Sequence, residues 1–260
     1  MPKLTLVYFD FHGGRGEPAR LALSIGGVPF EDRRVTFAEW GAMKKETPYG
    51  SLPVLEVDGQ RVAPDIYALV RKEPPGVMLN ANSVVIVNAD DVVVVDTGIG
   101  PATAKAILSA VRTITPKPVK YVINTHFHGD HSGGNAKLQG LNAQVVASEA
   151  ARQKMVETKM LGLPNVTLEN RLRLYVGGKR IEVHYLGRSH TNGDVVVLFP
   201  DHRVIAMGDM FTFGDATPQL VDYAGGGSAV EWTKTVDGAL QLSFDTVVPG
   251  HGMVTTRQEL

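Results

Sequence analysis

A short apolar run, Val119-Lys120-Tyr121-Val122-Ile123, leads through Asn124 into Thr125-His126-Phe127-His128-Gly129-Asp130-His131, and a glycine pair, Gly133 and Gly134, follows. An apolar run of this length bounded by turn residues reads as a buried strand. Three of the eight histidines and one carboxylate therefore fall within six residues, where a buried strand gives way to a loop. Imidazoles two residues apart on an extended backbone project from the same side, so His126 and His128 can hold one ion. Asp130 and His131 then turn toward a second position beside it. Lone histidines are ordinary polar residues, but an H-x-H-x-D-H run at a strand end predicts a metal site, here one for two ions. A fold built around it must bring further ligands to the same strand ends.

The chain has no cysteine, which removes disulfides, thiol catalysis and thiolate ligation together. Any metal must be held by nitrogen and oxygen. At 260 residues, with 43% hydrophobic and 20% charged residues, the chain can bury one large core or two smaller ones. A formal net charge of −1 offers no field for nucleic acid or an anionic membrane. No apolar run approaches the roughly 20 residues that span a bilayer, and the start, Met1-Pro2-Lys3-Leu4-Thr5-Leu6-Val7, is too short in its apolar part for a secretion signal. A cytoplasmic address and a small-molecule substrate are expected, with neither nucleic acid nor membrane as partner.

The character of the chain changes near residues 59–64, which divides it into segments 1–60 and 61–260. The first reads strand, helix, strand, helix, strand: Leu4 to Phe9, Glu17 to Ser24, Phe30 to Val35, Ala38 to Glu46, and Pro53 to Val57. In the second, strands are expected from Ile66, Ser83, Val92, Val119, Ala143, Arg171, Lys179, Val195, Val204 and Thr246. Helices are expected over Pro101 to Thr113, Ser148 to Met160, and from a capping box at Ser228-Ala229-Val230-Glu231 to about Leu242. Such a pattern predicts a layered α/β body, with sheets face to face and helices outside. Asp96, the 126–131 cluster, His190, Asp209 and His251 all lie at strand ends, where layered folds gather their ligands. His184 reads as an ordinary strand residue and His202 as a turn residue.

The first segment resembles the N-terminal, thioredoxin-like domain of sigma-type glutathione transferases from about Met1 to Gln60. Tyr8 falls where that family keeps the tyrosine that activates the glutathione thiol, although on its residues alone it reads as a half-buried strand tyrosine. Arg15, Trp40 and Lys44 fall near glutathione-contacting positions, and Ser51-Leu52-Pro53-Val54-Leu55 resembles the segment carrying a cis proline. The family's Gln-Ser pair does not follow Arg61-Val62-Ala63-Pro64, so a truncated βαβαβ piece of a transferase is expected. A homodimer is a partnership such a piece would bring.

From about Val62 onward the chain resembles the metallo-β-lactamase-fold hydrolases, whose ligand motifs are all present. The resemblance implies an αββα sandwich. It also implies that His126, His128 and His190 hold a first metal, that Asp130, His131 and His251 hold a second, and that Asp209 bridges them. Asp96 matches a strand-end aspartate that orients ligands by hydrogen bonds. Two divalent ions about 3.5–4 Å apart would then share a bridging hydroxide that attacks the substrate, with Asp130 as the catalytic carboxylate. Zinc is the first choice for a histidine-rich, thiolate-free set, and iron or manganese suits a bridging aspartate nearly as well.

The commonest group of zinc β-lactamases places a cysteine where Asp209 stands, and an aspartate there resembles glyoxalase II, lactonases and phosphodiester-cleaving members instead. The expected activity is hydrolysis of a small carbonyl compound: a lactam, lactone or ester, β-lactams included. One alternative is a glutathione thioester hydrolase of glyoxalase II type. The other is a non-catalytic binding or scaffold fusion with a vestigial metal site.

Overall fold

The computed structural model describes residues 4–10, 17–25, 30–44, 54–56, 59–70, 81–214 and 219–260. The expectations placed on Arg15 and Ser51-Leu52-Pro53 lie outside them. Two compact units divide the chain, residues 1–60 and 61–260.

The first unit holds β1 (Leu4–Phe9), α1 (Glu17–Ile25), β2 (Phe30–Val35), α2 (Phe37–Met43) and β3 (Val54–Glu56). The strands form one sheet in the order β2-β1-β3, with β1 and β2 parallel and β3 antiparallel to β1. A parallel pair needs a crossover connection, which is the place α1 fills. Helix α2 starts one residue earlier than expected. Thr36 and Glu39 close a reciprocal capping box there, with Glu39 N donating to Thr36 Oγ1 (3.2 Å) and Thr36 N to Glu39 Oε2 (2.7 Å). Tyr8 is more deeply buried than a half-exposed strand would leave it, with Val7 and Val35 in the same cluster and the Arg20 guanidinium 5.6 Å from its ring. Trp40 packs edge-on against Phe9, at 5.8 Å between ring centres, and Lys44 is exposed.

The second unit is built from two sheets. The first has seven strands: β4 (Gly59–Ala63), β5 (Ile66–Leu69), β6 (Ser83–Val87), β7 (Val92–Val95), β8 (Val119–Ile123), β9 (Gln144–Ser148) and β10 (Val166–Leu168), lying in the order β10-β9-β8-β7-β6-β5-β4. The second has six: β11 (Arg171–Val176), β12 (Lys179–Tyr185), β13 (Val195–Phe199), β14 (Val204–Gly208), β15 (Thr246–Pro249) and β16 (Thr255–Thr256), side by side in that order. Among the described residues five α-helices complete it: α3 (Pro101–Ile114), α4 (Gly129–Ser132), α5 (Asn135–Gln139), α6 (Glu149–Glu157) and α7 (Ala229–Leu240).

Side-chain alternation sorts the valine runs into layers. Val93 and Val95 face inward with Ile86 and Ile123 and meet Ile181, Val183, Val197 and Phe199 of the second sheet. Val92 and Val94 face the other way and pack against Ala104, Ile107 and Val111 of α3. On the far side Val196, Leu198 and Ile205 pack against Ala239 of α7 and Phe244. Strands buried on both faces read as unbroken apolar runs, which β7 and β13 are. The result is helix, sheet, sheet, helix: the αββα sandwich.

Three short edge strands, β4, β10 and β16, were not expected, because two to five residues without clean alternation carry little periodic signal. Helix α6 stops at Glu157, short of Met160. Lys159 takes a left-handed φ of 56°, with Lys159 N donating to Val156 O and Met160 N to Met155 O. That closure usually carries glycine, and lysine in its place hides the stop. The capping box at Ser228 is half formed. Glu231 N donates to Ser228 Oγ (3.2 Å), but the Glu231 carboxylate is taken by Arg188.

Candidate metal centre

Strand β7 ends at Asp96, held at φ 59°, a conformation that costs energy for a non-glycine residue and persists only when its surroundings enforce it. Three donors do so. Thr125 N and Thr125 Oγ1 donate to the carboxylate at 2.8 and 2.7 Å, and His131 Nδ1 donates at 2.7 Å. Asp96 thus ties the end of β7 to the loop after β8 and aims His131. Strand β14 delivers Asp209 by way of Gly208, whose φ of 52° and close approach to Thr125 leave no room for a side chain. Gly250 packs against Asp209 in the same manner and brings His251 beside it.

All seven residues expected to be ligands come together. His126, His128 and His190 form one group, Asp130, His131 and His251 another, and His126, His131 and Asp209 a third between them; within each group the donor atoms lie within 4.8 Å of one another. His131 Nε2 is 3.1 Å from Asp209 Oδ1 and 3.5 Å from Asp130 Oδ2, and His251 Nε2 is 3.1 Å from Asp130 Oδ2. His126 and His131 are fully buried. The cluster does not continue the strand as an extended ribbon. Past His128 the chain turns into the single turn of α4, which brings Asp130 to His251 while His131 stays beside His126, with 4.1 Å between ring centres. His184 and His202 take no part, as expected of a strand residue and a turn residue.

The outward hydrogen bonds decide which nitrogens face inward. A carbonyl or carboxylate oxygen can only accept, so the ring nitrogen facing it carries the proton. His190 Nδ1 donates to Leu220 O (2.6 Å), and His128 Nε2 donates to Asp222 Oδ2 (2.9 Å). Their other nitrogens then present lone pairs to each other, with His190 Nε2 and His128 Nδ1 2.9 Å apart and His128 Nδ1 3.1 Å from His126 Nε2. Neutral imidazoles so placed repel, and a cation at their centre removes the repulsion. Nearby, His131 Nε2 and Asp209 Oδ1 are buried and neither is aligned for a hydrogen bond, although they lie 3.1 Å apart. The donor set fits divalent ions.

The acid–base balance has the same shape. Burial pushes His126 well below its ordinary value, and the neighbouring His131 adds to this. Burial would also lower His131, but Asp209, Asp96 and Asp130 outweigh it and hold the ring well above. Burial would lower His251, but the carboxylates of Asp130 and Asp209, 3.1 and 3.4 Å from its Nε2, outweigh it and push it up to about 9. Burial would raise Asp209, yet His131 holds it well below the usual carboxylate range. The rim asks for positive charge among its carboxylates.

Two positioning groups were not anticipated from the sequence. Asp222 sits in the segment between β14 and α7, and nothing in its neighbours marks it as a partner for His128. The Leu220 carbonyl carries no sequence signal at all. Asp194, inside the His190 motif, accepts from Ser189 Oγ, Thr191 N and Thr191 Oγ1, and so brackets His190 on both sides.

The family model described as the Metallo-beta-lactamase superfamily matches residues 76–251, and the chain belongs to that superfamily, as a hydrolase of that class. Metallo-beta-lactamase type 2 from Bacillus cereus is 28% identical over 188 residues, which is 70% of this chain and 71% of that one. The solved metallo-beta-lactamase from Pontibacter korlensis superposes with a TM-score of 0.67 at 25% identity, covering 75% of this chain and 90% of that chain. The N-terminal segment is similar to Glutathione S-transferase 1 from Ascaris suum, 51% identical over 63 residues, 24% of this chain and 30% of the transferase. The chain thus spans under a third of that relative. Among the described residues no helix is long and apolar enough to cross a membrane.

Proposed function

We propose that this chain is a dinuclear metal-dependent hydrolase of a small carbonyl compound, with His126, His128 and His190 holding one divalent ion, Asp130, His131 and His251 the second, and Asp209 shared between them. The observation that carries this reading is the set of inward-facing imidazole nitrogens 2.9 and 3.1 Å apart, whose protons are drawn outward by Asp222 and Leu220 O. A thiolate-free set of nitrogen and oxygen donors favours zinc, with iron or manganese as the alternatives. When bound, such ions acidify a shared water and polarise the substrate carbonyl.

The chain's own groups do the rest. Asp96, Asp222 and Leu220 O fix the tautomers and the aim of His131, His128 and His190. Asp130 has a side chain 15% exposed and 3.1 Å from His251 Nε2, where its carboxylate can take the proton of the attacking water and return it to the leaving oxygen or nitrogen. Water adds across the acyl bond, which breaks to a carboxylic acid and an alcohol or amine.

Metal analysis of the full chain should find two equivalents, reduced in the Asp209→Ala variant. A chain that retains no metal after loading would be the scaffold and not the enzyme. The second reading, a glutathione thioester hydrolase, is favoured by the similarity of the N-terminal segment to a transferase. It predicts measurable glutathione affinity, and binding no better than weak millimolar would remove it.

A further inference from the structure

Most of the backbone segments that carry the ligand set and its supports lack lysine and arginine. Residues 96–104, 124–136, 209–214, 219–228 and 249–256 contain no lysine or arginine. Segment 187–194 contributes Arg188, and its guanidinium is tied to Glu231, with Nε 3.0 Å from Oε1. Among the described residues of these segments, then, no lysine or arginine is available to pair with an anionic group on a substrate. Carboxylates crowd the same place. Asp96, Asp130, Asp209 and Asp222 each lie within 3.1 Å of one of the clustered histidines. Their four formal charges offset those of two divalent ions, so the loaded site would present an approaching anion with little net field.

Large apolar side chains on the segments that support this centre are exposed: Leu220 by 55%, Tyr223 by 71% and Met253 by 64%. Exposed hydrophobic residues scattered singly are ordinary. These are anchored to the site within two residues. The Leu220 carbonyl accepts from His190, and Asp222, next to Tyr223, accepts from His128. Met253 N donates to Phe213 O (3.3 Å), while Phe213 N donates to His251 O (3.0 Å). Apolar surface gathered beside a polar centre marks a ligand-binding wall. A carboxylate or phosphate placed against it would shed water without gaining a partner, whereas an uncharged chain would not.

We infer that, given the hydrolase reading above on which this rests, the substrate is an uncharged ester or lactone with an apolar acyl chain, selected by the exposed apolar side chains of Leu220, Tyr223 and Met253, and that anionic lactams and phosphodiesters are disfavoured. The test separates specificity from turnover. Octanohydroxamic acid and suberic acid monohydroxamate have chains of equal length and differ by a terminal carboxylate. Calorimetric titration of the metal-loaded full chain should show the neutral compound binding at least about tenfold more tightly. Tyr223→Lys, at an exposed position outside the ligand set, should shrink that gap severalfold. Equal or tighter binding of the carboxylate compound by the unaltered chain, or binding of neither, overturns the inference. Turnover of a panel of neutral esters and lactones reports on the hydrolase reading alone. If the neutral preference holds without hydrolysis, the reaction is wrong and the rim's selectivity stands.

Discussion

On the outer face of the second sheet, Glu182 and His184 lie 3.0 Å apart and nearly buried, while at the rim His131 meets Asp96 at 2.7 Å and Asp209 at 3.1 Å. The two places supply the same pair of groups and balance it in opposite ways. Glu182 is surrounded by Arg171, Arg173 (3.4 Å) and Arg180 (3.7 Å), so its charge is met by the chain itself. Burial would raise its pKa, but the hydrogen bonds from Arg171 and His184 hold it below the ordinary value. His184 can therefore stay neutral, pushed down by burial and by the nearby arginines despite Glu182. Among the described residues no arginine pairs with the rim's carboxylates, which lift His131 and His251 instead. A buried carboxylate needs a cation from somewhere. One region carries its own, and the other is arranged to receive one.

The sharpest break of this comparison is at Asp209. Asp209→Ala removes the carboxylate shared between the two groups, and kcat/KM for any hydrolysed substrate should fall by at least about a hundredfold, with loss of bound metal seen by elemental analysis. An unchanged metal content would undo the contrast. Asp222→Asn comes next. The amide can present its nitrogen to His128 Nε2 and no longer enforces the tautomer, so metal affinity should drop by about 10- to 100-fold while the folded state persists, as measured by competition with a chelator.

Glu182→Gln acts on the other region and should leave activity alone. It strands three partly exposed arginines, and stability should fall by about 1 to 2 kcal/mol in chemical denaturation. Its signature is in the pH dependence. The folded pKa of Glu182 is depressed, so its stabilisation is present above the ordinary value of 4.5 and is lost as pH falls through the lower folded value. His184 is depressed too, so it subtracts stability with the same sign, beginning as pH drops below its ordinary 6.5. Glu182→Gln should flatten the part of the acid limb below 4.5, and an unchanged limb there would place the acid sensitivity elsewhere. The smallest effect is expected at Val230, 92% exposed at the start of α7, where Val230→Ser should shift stability by no more than about 0.5 kcal/mol.

Much of the frame was legible because the chain states its layers directly. Val92 to Val95 and Val195 to Phe199 read as strands, and both are, with every residue buried. The hairpin across Gly177-Gly178 falls where its turn residues put it, since both adopt positive φ. Reading failed where local signals were silent. Lysine stands in the left-handed stop of α6, and β16 is two residues long. The site shows the same division. His126, His128, Asp130 and His131 announce themselves by spacing, while Asp222 supports His128 from 94 residues away with no motif around it.

The amino-acid order by itself determined the ligand chemistry: nitrogen and oxygen donors, no thiolate, and their places at strand ends. Those follow from residue type and periodicity, which are local. Only the tertiary structure decided which nitrogen of each ring faces inward, because that depends on acceptors such as Leu220 O and Asp222 brought in by a distant loop. It also decided that Glu182 has three arginines around it while, among the described residues, the rim's carboxylates pair with histidines. Net charge is a sum over the chain, but the demand for a cation arises where folding buries like charges together and leaves their counterions elsewhere.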